Sequence, residues 1–157
     1  MTSREGGQAV MDLWEKVFDA IPNPAMLLDS DLCVIRINRD LASRLGMQPS
    51  GVEGKKCTEL IHGTDGPPEN CPLALARKEK VEQRCELMLK KLGGIFDTAV
   101  TPLLDDRGEI LAFLHISRDV SKAKSVEEEL RRAHAEQESR IEERTAELQQ
   151  LASSLQK

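Results

Sequence analysis

The feature that most restricts the fold of this chain is the junction near residue 119, where an apolar run meets a long charged one. Residues 110–116 read Ile-Leu-Ala-Phe-Leu-His-Ile, which is typical of a buried strand. Residues 121–157 contain neither glycine nor proline and carry many charged side chains, which predicts one continuous helix. A domain whose last strand continues directly into a lone helix indicates a part that passes a signal along that helix.

The composition fits one modest domain plus this helix, because 157 residues are too few for two cores of ordinary size. With 22 basic and 27 acidic side chains the net charge is −5, so we expect no nucleic-acid partner. No apolar run approaches the ~20 residues that span a bilayer, and residues 1–7 lack the hydrophobic stretch of a secretory signal. We therefore expect a cytoplasmic protein with no membrane segment in this chain.

The predicted order of elements is helix, two strands, short helices, three strands and a long helix. Asn38 is predicted to cap a short helix that ends before Gly46, and the segment 49–81 is predicted to be broken by glycine and proline. We expect a flexible N-terminus over residues 1–8, a domain over 9–120 and a helix over 121–157. The strands are predicted over residues 25–29, 32–37, 81–92, 94–104 and 109–117.

Both faces of the last strand are apolar in the sequence. Ile110, Ala112, Leu114 and Ile116 alternate with Leu111, Phe113 and His115. We expect the short helices to cover one face, and the N-terminal helix, the long helix or a second subunit to cover the other. A homodimer would complete that burial.

The order of elements and four local motifs resemble a PAS (Per-Arnt-Sim) domain of a bacterial sensor protein. The motifs are residues 18–24 (FDAIPNP), 37–39 (INR), 101–108 (TPLLDDRG) and 117–121 (SRDVS). The resemblance implies an α+β fold: a five-stranded antiparallel sheet with flanking short helices, an N-terminal amphipathic helix and a long C-terminal coiled-coil helix. It also implies a sensor of a two-component system, whose downstream output is a histidine kinase.

The family's exit motif is Asp-Ile-Thr, and Asp119-Val120-Ser121 stands in its place. The resemblance implies that Arg118, Asp119 and Ser121 couple movement of the sheet to the outgoing helix. A simpler alternative is that Asp119 only caps that helix.

The resemblance does not identify a cofactor, because PAS domains bind haem, flavins, small acids or nothing. Haem is disfavoured for two reasons. The motif that attaches c-type haem covalently, Cys-x-x-Cys-His, is absent, and the helix at residues 72–77, where haem-binding members of the family commonly carry the axial histidine, has no histidine. Flavin is disfavoured, since Lys56 and residues 58–61 replace the polar groups that hold the flavin ring near the family's reactive cysteine.

Cys57, His62 and Cys71 surround one loop that is rich in proline and glycine, and three interpretations stay open. They are packing residues with a loop histidine, or Cys57 and Cys71 form a redox pair, or the three bind a metal or iron-sulfur cluster together with Cys85. Pro72 suits a first helical position, which makes Cys71 the N-cap. The helix dipole would then favour its thiolate.

His115 is a further candidate, because a strand histidine that faces a pocket can bind an anionic ligand or sense pH. The alternative is a core or interface histidine whose hydrogen bonds are satisfied.

Apolar residues on the long helix follow a heptad pattern with polar residues in its middle. A competing pattern through Val126 and Ala133 requires a stutter, so two registers are available. We expect a parallel two-stranded coiled coil; the alternative is a single helix that folds back on the domain. The predicted seam includes Leu130, Ile141, Leu148, Leu151 and Leu155.

Catalysis by this chain is not expected. His134 lies on the long helix, but the residues after it lack the pattern of a kinase phosphoacceptor box, and no phosphate-binding loop occurs. The sequence favours a sensory and dimerisation module that detects a small ligand or redox state and transmits it to an output domain. The alternatives are a ligand-free structural adaptor and a cysteine-based redox or metal switch.

Overall fold

The computed structural model describes residues 3–64, 66–68 and 70–155. The chain divides into two units, Met1–Val120 and Ser121–Lys157. Residues 1 and 2 of the predicted N-terminal segment, and the last two residues of the predicted long helix, lie outside the described residues.

The first unit contains a five-stranded antiparallel sheet in the order β2-β1-β5-β4-β3. The sheet has flanking helices and the chain ends in a long helix, so the predicted α+β architecture is confirmed. β5 lies at the centre of the sheet, between the first and the second half of the unit. The strands are β1 (Ala25–Asp29), β2 (Val34–Ile37), β3 (Gln83–Leu89), β4 (Gly94–Leu104) and β5 (Ile110–Asp119).

The first helix begins at Ser3, inside the N-terminal segment expected to be flexible, since Gly6 and Gly7 weaken a helix without ending it. Its apolar residues Val10, Leu13 and Val17 are exposed. The helices are α1 (Ser3–Asp19), α2 (Arg39–Leu45), α3 (Cys57–Ile61), α4 (Pro72–Glu79) and α5 (Ser121–Leu155), with a 3-10 turn at Pro49–Gly51.

Two predicted strand starts are wrong. The backbone of Leu32 is left-handed, with φ of +66°, and that of Lys80 is left-handed at +56°. A left-handed residue cannot belong to an extended strand, so β2 begins only at Val34. β3 begins at Gln83, three residues after Lys80. Lys80 instead ends α4.

The core lies between the inner face of the sheet and helices α2, α3 and α4. Its largest side chains are almost completely buried, and each contributes about 1.5–3 kcal/mol through removal from water. They include Met26, Leu28, Phe96, Val100 and Phe113 from the sheet, and Leu41, Ile61 and Leu73 from the helices.

The outer face of the sheet carries half-buried apolar side chains, among them Leu27, Leu114 and Ile116. Helix α1 lies beside β2, where Glu15 and Asp19 pair with Arg36 at 2.9 and 3.5 Å. Over the described ranges, none of the helices combines the length and the hydropathy needed to cross a membrane.

Candidate functional site

Asn38 joins the start of β1 to the start of α2. Its side chain is fully buried, and Oδ1 accepts hydrogen bonds from the backbone N–H groups of Ala25 and Leu41, each at 3.0 Å. Nδ2 donates to the carbonyl oxygens of Ile21 and Asn23 at 3.1 and 2.8 Å. The predicted N-cap is therefore confirmed, and the same side chain also fixes the segment that leads into the sheet. Gly46 ends α2 with φ of +64°, as predicted.

The end of β5 is attached to α2 by an ion pair. The Arg44 guanidinium lies 3.5 Å from the carboxylate of Asp119 and 3.0 Å from that of Asp40. It also lies over the Phe96 ring, 5.8 Å from the ring centre. Phe96 lies opposite Asp119 in the register of β4 and β5. Arg44 therefore connects the last residue of β5, the exit of the domain, with both α2 and a buried ring.

The three predicted coupling residues have different surroundings. Asp119 lies at the Arg44 junction, whereas Arg118 is exposed and lies opposite Asp97 in the sheet. Ser121 is the first residue of α5. The role of Arg44 at this junction is not predictable from the sequence, in which Arg44 shows one local signal, its i,i+4 spacing from Asp40.

A buried polar row crosses three strands of the inner face near this exit. The hydroxyl groups of Thr98 and Ser117 are 3.1 Å apart, and both residues are buried. Cys85 lies opposite Thr98 in the register of β3 and β4. Cys85, Thr98 and Ser117 therefore occupy adjacent positions on β3, β4 and β5, and the last two are joined through their hydroxyl groups.

His115 lies on the inner face between Met26 and Val100, and it is buried. Burial lowers the pKa of His115 to about 4, with a smaller contribution from the charge of His62. Burial also lowers the pKa of His62. His115 is therefore neutral at physiological pH, and the structure brings the two histidines within electrostatic range of each other.

Cys57 is the first residue of α3 and is buried. Burial, with a smaller effect of Cys71, raises the pKa of the Cys57 thiol to about 11. Its thiolate is therefore scarce at neutral pH, and this disfavours Cys57 as a reactive thiol.

Cys71 occupies the predicted N-cap position of α4, directly before Pro72. The prediction that the helix dipole favours the Cys71 thiolate is wrong. Burial raises the pKa of the Cys71 thiol, and the backbone N–H of Leu73 offsets this only in part. Desolvation thus outweighs the local field of the helix end.

Cys85 and Cys71 both line a groove of about 580 Å³ between α4 and β3. The Cys85 thiol donates a hydrogen bond to the carbonyl oxygen of Asn70, at 3.0 Å. Burial and the neighbouring Cys71 raise the pKa of Cys85. Other residues along this groove are Leu75, Lys78, Arg84 and Glu86.

Among the residues that the structure describes, no group of three or more His, Cys, Asp or Glu side chains is arranged to hold a metal ion. The interpretation of Cys57, His62, Cys71 and Cys85 as metal ligands therefore has no geometric support. All four cysteines of the chain are free thiols.

Helix α5 has no buried residue in its own unit. Ion pairs along its surface join Glu128 to Arg131 at 2.9 Å and Glu136 to Arg140 at 3.2 Å. Hydrogen bonds from Arg131 lower the pKa of Glu128. The predicted seam is an exposed apolar stripe of Leu130, Ile141, Leu148, Leu151 and Leu155.

A family model described as PAS fold matches residues 18–125 of the chain. A search of curated proteins found no match to the chain. Among solved structures, a sensory box sensor histidine kinase from Vibrio cholerae is 14% identical with a TM-score of 0.54, over 76% of this chain and 98% of that one.

Two further structures have the same fold. The PAS domain from Bordetella pertussis BvgS is 17% identical with a TM-score of 0.54, over 85% of this chain and 99% of that one. An RNA-binding Light-Oxygen-Voltage receptor is 12% identical with a TM-score of 0.63, over 80% of this chain and 38% of that one. At these identities the similarity shows the fold alone.

Proposed function

This chain belongs to the PAS family, and from that premise we propose that it is a sensory and dimerisation module. It detects a small ligand or a redox state and transmits the change through α5, as a coiled coil, to a histidine kinase output domain. The family's sensory character and the similarity to a sensor histidine kinase support this proposal. The chain itself performs no catalytic step in this account.

The observation that carries the proposal is the junction of Arg44, Phe96 and Asp119. Arg44 belongs to α2, whose Leu41 and Ala42 are buried in the core. The same guanidinium reaches the last residue of β5. A rearrangement of the core around α2 would therefore alter the ion pair with Asp119, two residues before α5 begins.

The proposed output route is the apolar stripe of α5. Leu148 and Leu151 are 65% and 62% exposed, and a parallel second helix would bury them in a heptad seam. His134, Gln137 and Arg144 occupy seam positions in the middle of the helix and weaken the packing there. A helix pair that has polar residues at the central seam positions and two available heptad registers is suited to switching between those registers.

Dimerisation of the first unit is supported by apolar surface that the single chain leaves uncovered. Val10, Leu13 and Val17 on α1 are each at least 60% exposed. Leu114 and Ile116 on the outer sheet face are only half buried. A second copy of the chain would cover surfaces of this kind.

A ligand-free structural adaptor is a second candidate, and the packing of the core favours it. Phe96, Phe113, Met26 and Leu28 fill the inner sheet face and are at most 1% exposed. Native mass spectrometry of the purified chain, with and without an oxidant, separates the two: a reproducible bound small molecule or a loss of thiols supports a sensor, and an unliganded dimer that the oxidant leaves unchanged supports the adaptor.

The proposed function is tested with a chimaera in which the chain replaces the PAS domain of a histidine kinase. We expect Asp119→Asn to change autophosphorylation by about fivefold or more, which is the lower end of typical coupling between sites. Asp106→Asn, in the exposed turn before β5, is the matched control and should leave the rate unchanged. Equal rates for the chimaera and both variants would contradict signal transmission through Asp119.

A further inference from the structure

We propose that Cys71 and Cys85 form a reversible disulfide in exchange with small-molecule disulfides, and that this pair is the redox input of the domain. The inference rests on the proposed sensory function and specifies its chemical signal. It replaces the pair that the sequence suggested, Cys57 with Cys71.

Cys71 and Cys85 lie close to each other. The Cys85 sulfur lies 3.0 Å from the carbonyl oxygen of Asn70. That oxygen and the Cα atom of Cys71 belong to the same planar peptide unit, so the sulfur lies within about 6 Å of this Cα atom. The Cys85 sulfur lies about 3 Å from its own Cα atom, so the Cα atoms of Cys71 and Cys85 lie within about 9 Å of each other. A disulfide requires Cα atoms roughly 4.4–6.8 Å apart, and its formation would draw the N-terminal end of α4 toward β3.

Both thiols of this pair are accessible from solvent. Cys71 and Cys85 are half-buried and line the same groove, so a small disulfide can reach both sulfurs. Cys57 is 6% exposed and is not among the described residues that line the groove. Its thiol is also the one whose pKa is raised to about 11. Cys57 therefore serves as a packing residue, and Cys71 pairs with Cys85.

The reaction balances with a small disulfide as the oxidant. One protein thiolate attacks the small disulfide, whose S–S bond breaks as a mixed disulfide forms and one small thiolate leaves. The second protein thiol loses its proton, and its sulfur attacks the protein sulfur of the mixed disulfide. A second small thiolate leaves, so the protein loses two protons and two electrons and the small disulfide is reduced to two thiols.

The bond would connect the first turn of α4 to the edge strand β3. Cys85 lies opposite Thr98 on β4, and the Thr98 hydroxyl contacts that of Ser117 on β5. Closing the groove would therefore shift β3 relative to a buried polar contact just two residues before Asp119. This gives the redox state a path to the exit of the domain.

The test is incubation of the purified chain with glutathione disulfide, followed by alkylation of the remaining thiols and peptide mass spectrometry. We expect one linkage, Cys71 to Cys85, with Cys33 and Cys57 alkylated. Cys71→Ser and Cys85→Ser should abolish the linkage, and Cys33→Ser is the matched control that retains it. The rate should rise about tenfold per pH unit below the thiol pKa values, because the thiolate is the attacking species.

Two results would overturn the inference: a Cys57–Cys71 linkage, or no loss of thiols at pH 9 with excess glutathione disulfide. The kinase chimaera separates this failure from failure of the proposed function. If Asp119→Asn alters kinase activity and no disulfide forms, only the thiol pair is wrong. If the disulfide forms and neither it nor Asp119→Asn alters the kinase, the thiol pair stands and the proposed function is wrong.

Discussion

Arg44 and Asp119 are 75 residues apart in the sequence, and their side chains form an ion pair at 3.5 Å. Arg44 lies in the last turn of the helix that Asn38 caps, and Asp119 ends the central strand of the sheet. The guanidinium also covers the ring of Phe96, which the sheet register places opposite Asp119. The last residue of β5 is therefore held against α2, the helix that packs on the core.

The energy of this ion pair is expected to be small, because both side chains are partly exposed. A double-mutant cycle of Arg44→Ala and Asp119→Asn should give a coupling of about 0.2–1 kcal/mol in urea unfolding, and less at 1 M salt. Arg39→Ala, at the exposed start of α2, is the control and should show no coupling to Asp119→Asn. A coupling indistinguishable from zero at low salt would mean that the contact does not constrain the exit.

Asn38→Ala should be among the most destabilising single changes in the domain. It leaves two buried backbone N–H groups and two carbonyl oxygens without their partner. We expect a loss of about 3 kcal/mol or more in the free energy of unfolding. Asn70→Ala, at an exposed side chain, should change it by less than about 0.5 kcal/mol. Equal effects would contradict the role of Asn38 in joining β1 to α2.

The sequence predicted those features that depend on neighbouring residues. The Asn38 cap, the Gly46 end of α2, the Pro72 start of α4 and the bounds of β4 follow from local spacing and are found as predicted. The left-handed Leu32 has no such signal, since non-glycine residues seldom adopt that conformation.

The site was less predictable, because its properties depend on tertiary contacts. The pairing of Arg44 with Asp119 and the approach of Cys85 to residue 70 join distant segments. The raised pKa of Cys71 follows from burial that no local pattern reveals, and it reverses the effect expected from the helix end.

His115 should make the domain sensitive to acid. The folded state takes up a proton on His115 only near pH 4, whereas the unfolded chain does so near the ordinary value of 6.5. Stability is therefore complete above pH 6.5 and is lost as the pH falls toward 4, by about 3 kcal/mol in total. Urea unfolding between pH 7 and 4 measures this.

His115→Gln should have a flatter pH dependence over the same range, although its stability at pH 7 will be lower. The lowered pKa of His62 adds a contribution of the same sign, so the variant should retain part of the slope. Gln149→Ala, on the exposed surface of α5 and outside the proposed seam, is the control and should keep the full slope of the parent. An unchanged slope in His115→Gln would contradict burial of a neutral histidine.

The coiled-coil hypothesis makes a direct prediction for association. Leu148→Glu places a charge in the proposed seam and should weaken the dimer by at least tenfold in dissociation constant, since burying an unpaired charge is costly. Gln149→Glu adds the same charge one position away, outside the seam, and should leave association unchanged. Sedimentation equilibrium over a range of concentrations measures both. A parent chain that stays monomeric at high concentration would contradict the hypothesis.

Hydrogen exchange along α5 in Arg44→Ala measures whether the contact of Arg44 with Asp119 affects the outgoing helix, because Arg44 belongs to the first unit. If the exit junction transmits the state of the domain, peptides from residues 121–133 should exchange about three- to fivefold faster than in the parent chain, which corresponds to roughly 1 kcal/mol. The same peptides should be unchanged in Arg39→Ala. Faster exchange in α2 and β5 with identical exchange in α5 would contradict transmission through Arg44 and Asp119.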